Sequence, residues 1–264
     1  MERKFFREPE QTKKYNALEK VKVCVAGLGE GVGTTFIASN IAYYLSENHK
    51  SSAFVEIGDP RSKKALLYDS VAMEQRFKNR NFVDFYKAIR DGEKIRGRCN
   101  IEEGINWAII TPEDCEEKIC LKGEEKWKLI NNVSGEYVIV DIGSEVLSME
   151  ELFEFDIIVA VLEPMPSKML GAAKSFQQIK KMELRNLPII WVVNKYNEGV
   201  IKKEVVNYLK AKGIEYINMM SPNPFFRDEY NCKFHFKNKE LWQGCIGNIE
   251  NISKKIENIT KHSH

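Results

Sequence analysis

Seven short apolar runs, rich in β-branched residues, punctuate the chain at 21–26 (VKVCVA), 52–57 (SAFVEI), 105–111 (INWAIIT), 137–142 (YVIVDI), 156–162 (DIIVAVL), 188–193 (PIIWVV) and 214–219 (IEYINM). Continuous apolar runs of this length fit strands buried on both faces, as in a parallel sheet, rather than the alternation of a half-exposed strand. Between several of them lie segments with helical periodicity, notably 35–46 (TFIASNIAYYLS), 82–90 and 168–182. Alternation of strand and helix on this scale predicts right-handed βαβ units. The expected fold is α/β, a doubly wound, mostly parallel sheet of about seven strands flanked by helices.

The last segment, from residue 241, carries Ile246, Ile249, Ile252, Ile256 and Ile259, at steps of 3, 3, 4 and 3. That spacing places them on one stripe of an amphipathic helix, with Lys254 and Lys255 off it. A terminal helix packed on the sheet or on a partner is the plain reading. Peripheral membrane contact through the same stripe is the alternative, weakened by Glu250 and Glu257 on the polar face. Residues 1–20 are polar and mixed in charge, so the expected organisation is an N-terminal extension, 1–20, followed by one domain, 21–264.

Composition adds bounds. With 43% hydrophobic and 30% charged residues the chain has the makings of an ordinary core. Lys and Arg number 40 against 38 Asp and Glu, a net charge of +2, and the basic pairs are scattered. No strong nucleic-acid signal follows from that. Neither a secretory signal nor a membrane-spanning run is legible. The six cysteines include no CxxC pair, and they read as reduced thiols of a cytoplasmic protein.

The candidate chemistry lies directly after the first run. Residues 27–36 (GLGEGVGTTF) place four glycines between a strand and a helix. Such a loop lets backbone N–H groups converge on an anion at the helix N-terminus, although a tight turn alone would use the same residues. Other segments follow in order: 54–60 (FVEIGDP), 137–143 (YVIVDIG) and 192–195 (VVNK).

Taken together, these stretches resemble the ParA/MinD family of P-loop ATPases, a branch of the SIMIBI class. Residues 29–36 (GEGVGTTF) resemble its deviant Walker A loop, 54–60 its acidic switch segment, and 137–143 its Walker B strand. The degenerate loop, VEI and VIVDIGS are most similar to the TadZ/CpaE branch, which serves pilus and secretion machinery. The resemblance implies ATP or ADP with Mg²⁺ as cofactor. It implies nucleotide contacts from Gly29, Gly31, Val32, Gly33, Thr34, Thr35 and Phe36, and a base contact from Asn194 flanked by Lys195. Thr35 and Asp141 become the Mg²⁺ residues, Asp59 the catalytic residue of the acidic switch segment, where the family positions attacking water, and 221–224 (SPNP) a loop over the base. It further implies a homodimer and protein partners in a pilus, secretion or localisation machine; recruitment to the inner face of the membrane is the alternative that the terminal helix leaves open.

The departures from the family pattern are chemical. Gly29 stands where the signature lysine belongs and Thr34 where the Walker lysine belongs. No lysine or arginine falls between Val23 and Lys50 to replace them. Loss of such a charge clamp removes several kcal/mol of transition-state stabilisation. Three functions stay open at this level. They are a nucleotide-binding scaffold with weak or absent hydrolysis, a pseudo-ATPase acting purely as an interaction platform, and an active ATPase that draws a cation from elsewhere.

Overall fold

The computed structural model describes residues 20–58, 65–144 and 147–261. The first apolar run forms β1 (Val21–Gly27), followed by α1 (Thr34–Glu47) and β2 (Ser52–Glu56). After α2 (Leu66–Val71) comes a small hairpin of β3 (Met73–Gln75) and β4 (Lys78–Asn79), then α3 (Phe85–Arg90), capped by the Asp84 carboxylate on Lys87 N. Strands β5 (Ile101–Glu102) and β6 (Ile105–Ala108) lead to α4 (Pro112–Glu117), α5 (Glu124–Asn132) and β7 (Tyr137–Gly143). The chain continues through α6 (Met149–Leu152), β8 (Ile157–Leu162), α7 (Pro166–Gly171), α8 (Ala173–Leu184), β9 (Ile189–Tyr196) and α9 (Lys202–Leu209). It closes with β10 (Glu215–Asn218), α10 (Pro222–Tyr230), a 3₁₀ turn at His235–Lys237 and α11 (Lys239–Lys261).

Eight strands form the main sheet in the order β10-β9-β8-β1-β7-β2-β6-β5. All pairs are parallel except β5 with β6. The extra strand beyond the seven expected is β5, a two-residue antiparallel edge. Strand β1 lies at the centre, with Val23 beside Ile139 of β7 on one flank and Ile157 of β8 on the other. Its side chains divide with period two. Val21, Val23 and Val25 face the layer of α1 and α11, whereas Cys24 and Ala26 face the layer that includes α3, α5, α8 and α9.

The terminal stripe is internal. Ile249, Ile252 and Ile256 are fully buried, packed with Ile37, Ile41 and Leu45 of α1. Burying each such side chain contributes about 1.5–3 kcal/mol, so this face serves the core. Among the described residues no helix is long and apolar enough to cross a membrane. The predicted helix over 168–182 is divided at Ala172 into α7 and α8. The predicted base loop at 221–224 instead opens α10, where Pro222 sits at a first-turn position that needs no N–H donor.

The chain leaves β1 toward β2 on one side of the sheet and later returns to β8 on the other. The carboxyl ends of β1, β7, β8 and β9 therefore bound a crevice at a switch in winding direction. Open α/β sheets place ligands at such a crevice.

Candidate nucleotide-binding site

The glycine loop begins at that crevice. Leu28 N donates to Val161 O at 2.8 Å, tying the end of β1 to β8. Gly31 and Gly33 both take the left-handed conformation, with φ of +66° and +87°. Gly33 is the N-cap of α1, and no side chain caps that end. The first intrahelical acceptor, Gly33 O, is used by Ile37 N. The N–H groups of the first turn thus lack helical acceptors and, with the helix dipole, make an anion-binding end.

The two threonines diverge. Thr34 is buried, and a Cβ placed on Gly27 would strike its hydroxyl, so its side chain lies beneath the loop. Thr35 reaches β7, where its Oγ1 donates to Asp141 Oδ2 at 2.5 Å. Asp141 is fully buried and its Oδ1 accepts from Gly143 N at 2.9 Å. Its backbone carbonyl accepts from Ile57 N at 2.8 Å, so the end of β2 is fastened to the same residue. Asp59, two positions further, lies outside the described residues. Glu56 turns into the sheet, its Oε2 accepting from Ile110 N at 3.1 Å.

Strand β9 supplies the rear wall. Asn194 is buried, and its Nδ2 donates to Val32 O at 2.8 Å. A Cβ on Gly33 would collide with that same amide, so glycine is required there for space as well as for φ. Lys195 follows with a left-handed φ of +57°. Its Nζ donates to Gly31 O at 2.6 Å and to Glu163 Oε2 at 3.0 Å. Glu163, just past β8, also accepts from Lys168 Nζ at 2.7 Å. Burial pulls the Glu163 carboxyl upward, but its bonds to Lys168 and Lys195 outweigh this and hold it below the usual glutamate range. Beside Gly29 and Lys168 the enclosed space is only about 10 Å³. On the outer side of the loop Glu30 and Gly31 are exposed.

Phe36 does not line the loop. Its ring lies 5.4 Å from Phe225 in an edge-on contact and 5.1 Å from His235. Asn40 Nδ2 donates to Phe36 O at 2.7 Å and lies 2.8 Å from His235 Nε2. Burial pushes His235 down to about 4, so the imidazole is neutral. Below the loop, burial, aided by the Asp141 charge, pushes the Cys24 thiol upward and keeps it protonated.

The structure therefore gathers Gly29, Gly31, Val32, Gly33, Thr35, Asp141 and Asn194 around one loop, with Thr34 beneath it and Phe36 turned to α10. Sequence reading missed Glu163 and Lys168 and did not foresee that Lys195 contacts the loop. Strand order alone could have pointed to them, since β8 ends beside β1 and β9 beside β8.

No family model and no curated protein matches the sequence. Solved structures do resemble it. A ParA family ATPase from Chlorobium tepidum TLS is 16% identical, with a TM-score of 0.68 over 89% of this chain and 98% of its own. The septum site-determining protein MinD from Pyrococcus horikoshii OT3, complexed with Mg-ADP, is 16% identical with a TM-score of 0.66, covering 91% and 98%. A putative plasmid partition protein from Borrelia burgdorferi B31, bound to AMPPNP, is 17% identical with a TM-score of 0.62, covering 93% and 100%. At such identities the likeness is one of architecture: this chain has the P-loop NTPase fold of the ParA and MinD ATPases.

Proposed function

We propose that this protein is an adenine-nucleotide-binding scaffold of the ParA/MinD kind, with weak or absent hydrolysis, which helps to position or assemble a pilus or secretion-type machine as a homodimer. The observation that carries the proposal is the Thr35–Asp141 hydrogen bond beneath a glycine loop at the N-terminus of α1. A hydroxyl backed by a buried carboxylate suits a hard cation that keeps several waters. Thr35 would ligate Mg²⁺ and Asp141 would hold one of its waters. The N–H groups of residues 31–35 would take the phosphates. Asn194, whose amide already supports Val32 O, would offer its Oδ1 to the base. When bound, Mg²⁺ supplies charge neutralisation at the phosphates. Weak hydrolysis follows from the absence of lysine in the loop, with Asp59 as the residue to position water.

The test is calorimetric titration with ATP and ADP, with and without Mg²⁺, of the native chain and of Thr35→Ala and Asp141→Ala. Micromolar binding that Mg²⁺ strengthens, and that either substitution weakens, supports the proposal. No heat at millimolar nucleotide contradicts it. The assembly claim is checked by light scattering with and without Mg-ATP, where a monomer under both conditions counts against a dimer. A fluorescent fusion should gather at pilus or secretion machinery, and a diffuse signal beside assembled machines would contradict that role.

A further inference from the structure

We infer that the cation missing from the phosphate loop is supplied from outside it, by Lys195 at the end of β9, with Glu163 and Lys168 holding that ammonium in reserve. The inference rests on the loop's being a phosphate site and names how its charge is balanced. Three observations support it. The Lys195 Nζ is already at the loop, 2.6 Å from Gly31 O. It is brought there by a backbone at φ +57°, a conformation uncommon for a residue other than glycine. And the cluster is charge-unbalanced, because two ammonium groups share one carboxylate oxygen, Glu163 Oε2, at 2.7 and 3.0 Å. Within the bonded cluster itself two ammonium groups therefore face one carboxylate. Glu30, exposed on the loop, adds a second carboxylate outside that cluster.

Lys195 is accessible enough to move, its side chain being 36% exposed, while Glu163 is only 12% exposed. An arriving triphosphate offers more negative charge than one carboxylate. The ammonium would rotate from Glu163 to a phosphate oxygen, and Lys168 would remain to neutralise Glu163. The exchange replaces one charge-assisted hydrogen bond by another, so the carboxylate competes with the ligand. Removing Lys195 should weaken anion binding, and removing the Glu163 charge should strengthen it. A merely structural cluster would lose affinity in both cases.

The experiment is equilibrium titration of the full chain with Mg-ATP, inorganic triphosphate and adenosine, using Lys195→Ala, Lys195→Arg and Glu163→Gln, each checked for an intact thermal transition. Expected for Lys195→Ala is a loss of about tenfold to a hundredfold for ATP and triphosphate, the scale of one charged hydrogen bond, with adenosine unchanged. Lys195→Arg should retain most of the affinity, and Glu163→Gln should raise it a few-fold. Equal losses for ATP and adenosine in Lys195→Ala would assign the lysine to the nucleoside and overturn the inference, as would weakening by Glu163→Gln. If the native chain binds neither ATP nor triphosphate, the nucleotide reading itself fails and the inference goes with it. If it binds both and Lys195→Ala matches it, only the inference fails.

Discussion

Gly33→Ala perturbs the loop at the point where backbone conformation and space are both exhausted. At φ +87° an L-residue carries a left-handed penalty of roughly 1–2 kcal/mol. The new Cβ would also meet the Asn194 amide, which must withdraw from Val32 O, a buried hydrogen bond of 2.8 Å. Losing a buried partner in this way costs about 1–3 kcal/mol. The sum is about 2–5 kcal/mol, or a fall in Tm of roughly 4–20 °C for a domain of this size. Gly31→Ala is the internal control. Gly31 shares the left-handed backbone, at +66°, but nothing lies within 4 Å of its Cβ position. It should therefore lose only about 1–2 kcal/mol. Urea denaturation of both variants, together with Asn194→Ala and the Gly33→Ala/Asn194→Ala double variant, separates the two contributions. The double variant should be clearly less destabilised than the sum of its parts, since one collision cannot be relieved twice. Equal losses for Gly31→Ala and Gly33→Ala, or strict additivity in the double variant, would refute the steric account of the loop's rear wall.

Other expectations concern the core and its titration. Ile252→Ala removes a fully buried side chain from the α11 stripe and should cost about 2–5 kcal/mol in urea denaturation. Lys254→Ala, exposed and paired with Glu250 one turn away, should change stability by less than about 1 kcal/mol; the reverse ranking would mean that the stripe is not core. His235 binds its proton at about 4 in the fold and near 6.5 when unfolded. The unfolded chain therefore binds more protons, and this residue's contribution is lost as pH falls from about 6.5 toward 4. Between pH 7 and 5 that amounts to about 2 kcal/mol. Asp114, pushed up to about 7 chiefly by burial, acts in the opposite sense over part of the same range. The diagnostic quantity is thus the difference between the native chain and His235→Gln, which should shrink by about 2 kcal/mol at pH 5; a constant difference would contradict a neutral buried imidazole.

Much of the architecture was written in the apolar runs. A strand covered on both faces must be apolar at consecutive positions, and for that reason 21–26, 137–142 and 156–162 located β1, β7 and β8 to within a residue or so. What escaped reading had weak local signals. β5 is two residues long and exists only because β6 offers an edge. The division between α7 and α8 at Ala172 is marked only by Gly171 just before it, a residue that a continuous helix also tolerates. In the aromatic group near the end, Phe234 and Phe236 are 3% exposed, whereas Phe226 and Tyr230 on α10 are largely exposed. Only packing against α1 and Trp107 decides which are inside. At the site, the loop and Asp141 were legible because glycines and a strand-ending carboxylate mark themselves. Lys195 was legible only as a neighbour of Asn194. That its ammonium turns back to the loop depends on a left-handed backbone that lysine does not advertise.

The proposed function requires nucleotide phosphates to rest on the loop between β1 and α1. Amide hydrogen exchange of the full chain with and without Mg-ATP, resolved by peptide, tests it most directly, because the donors in question are backbone N–H groups. Slowed exchange is expected in peptides covering residues 29–37 and in the end of β7 around Asp141, with α11 unchanged. Binding accompanied by no protection of 29–37, or by protection centred elsewhere in the chain, would contradict it.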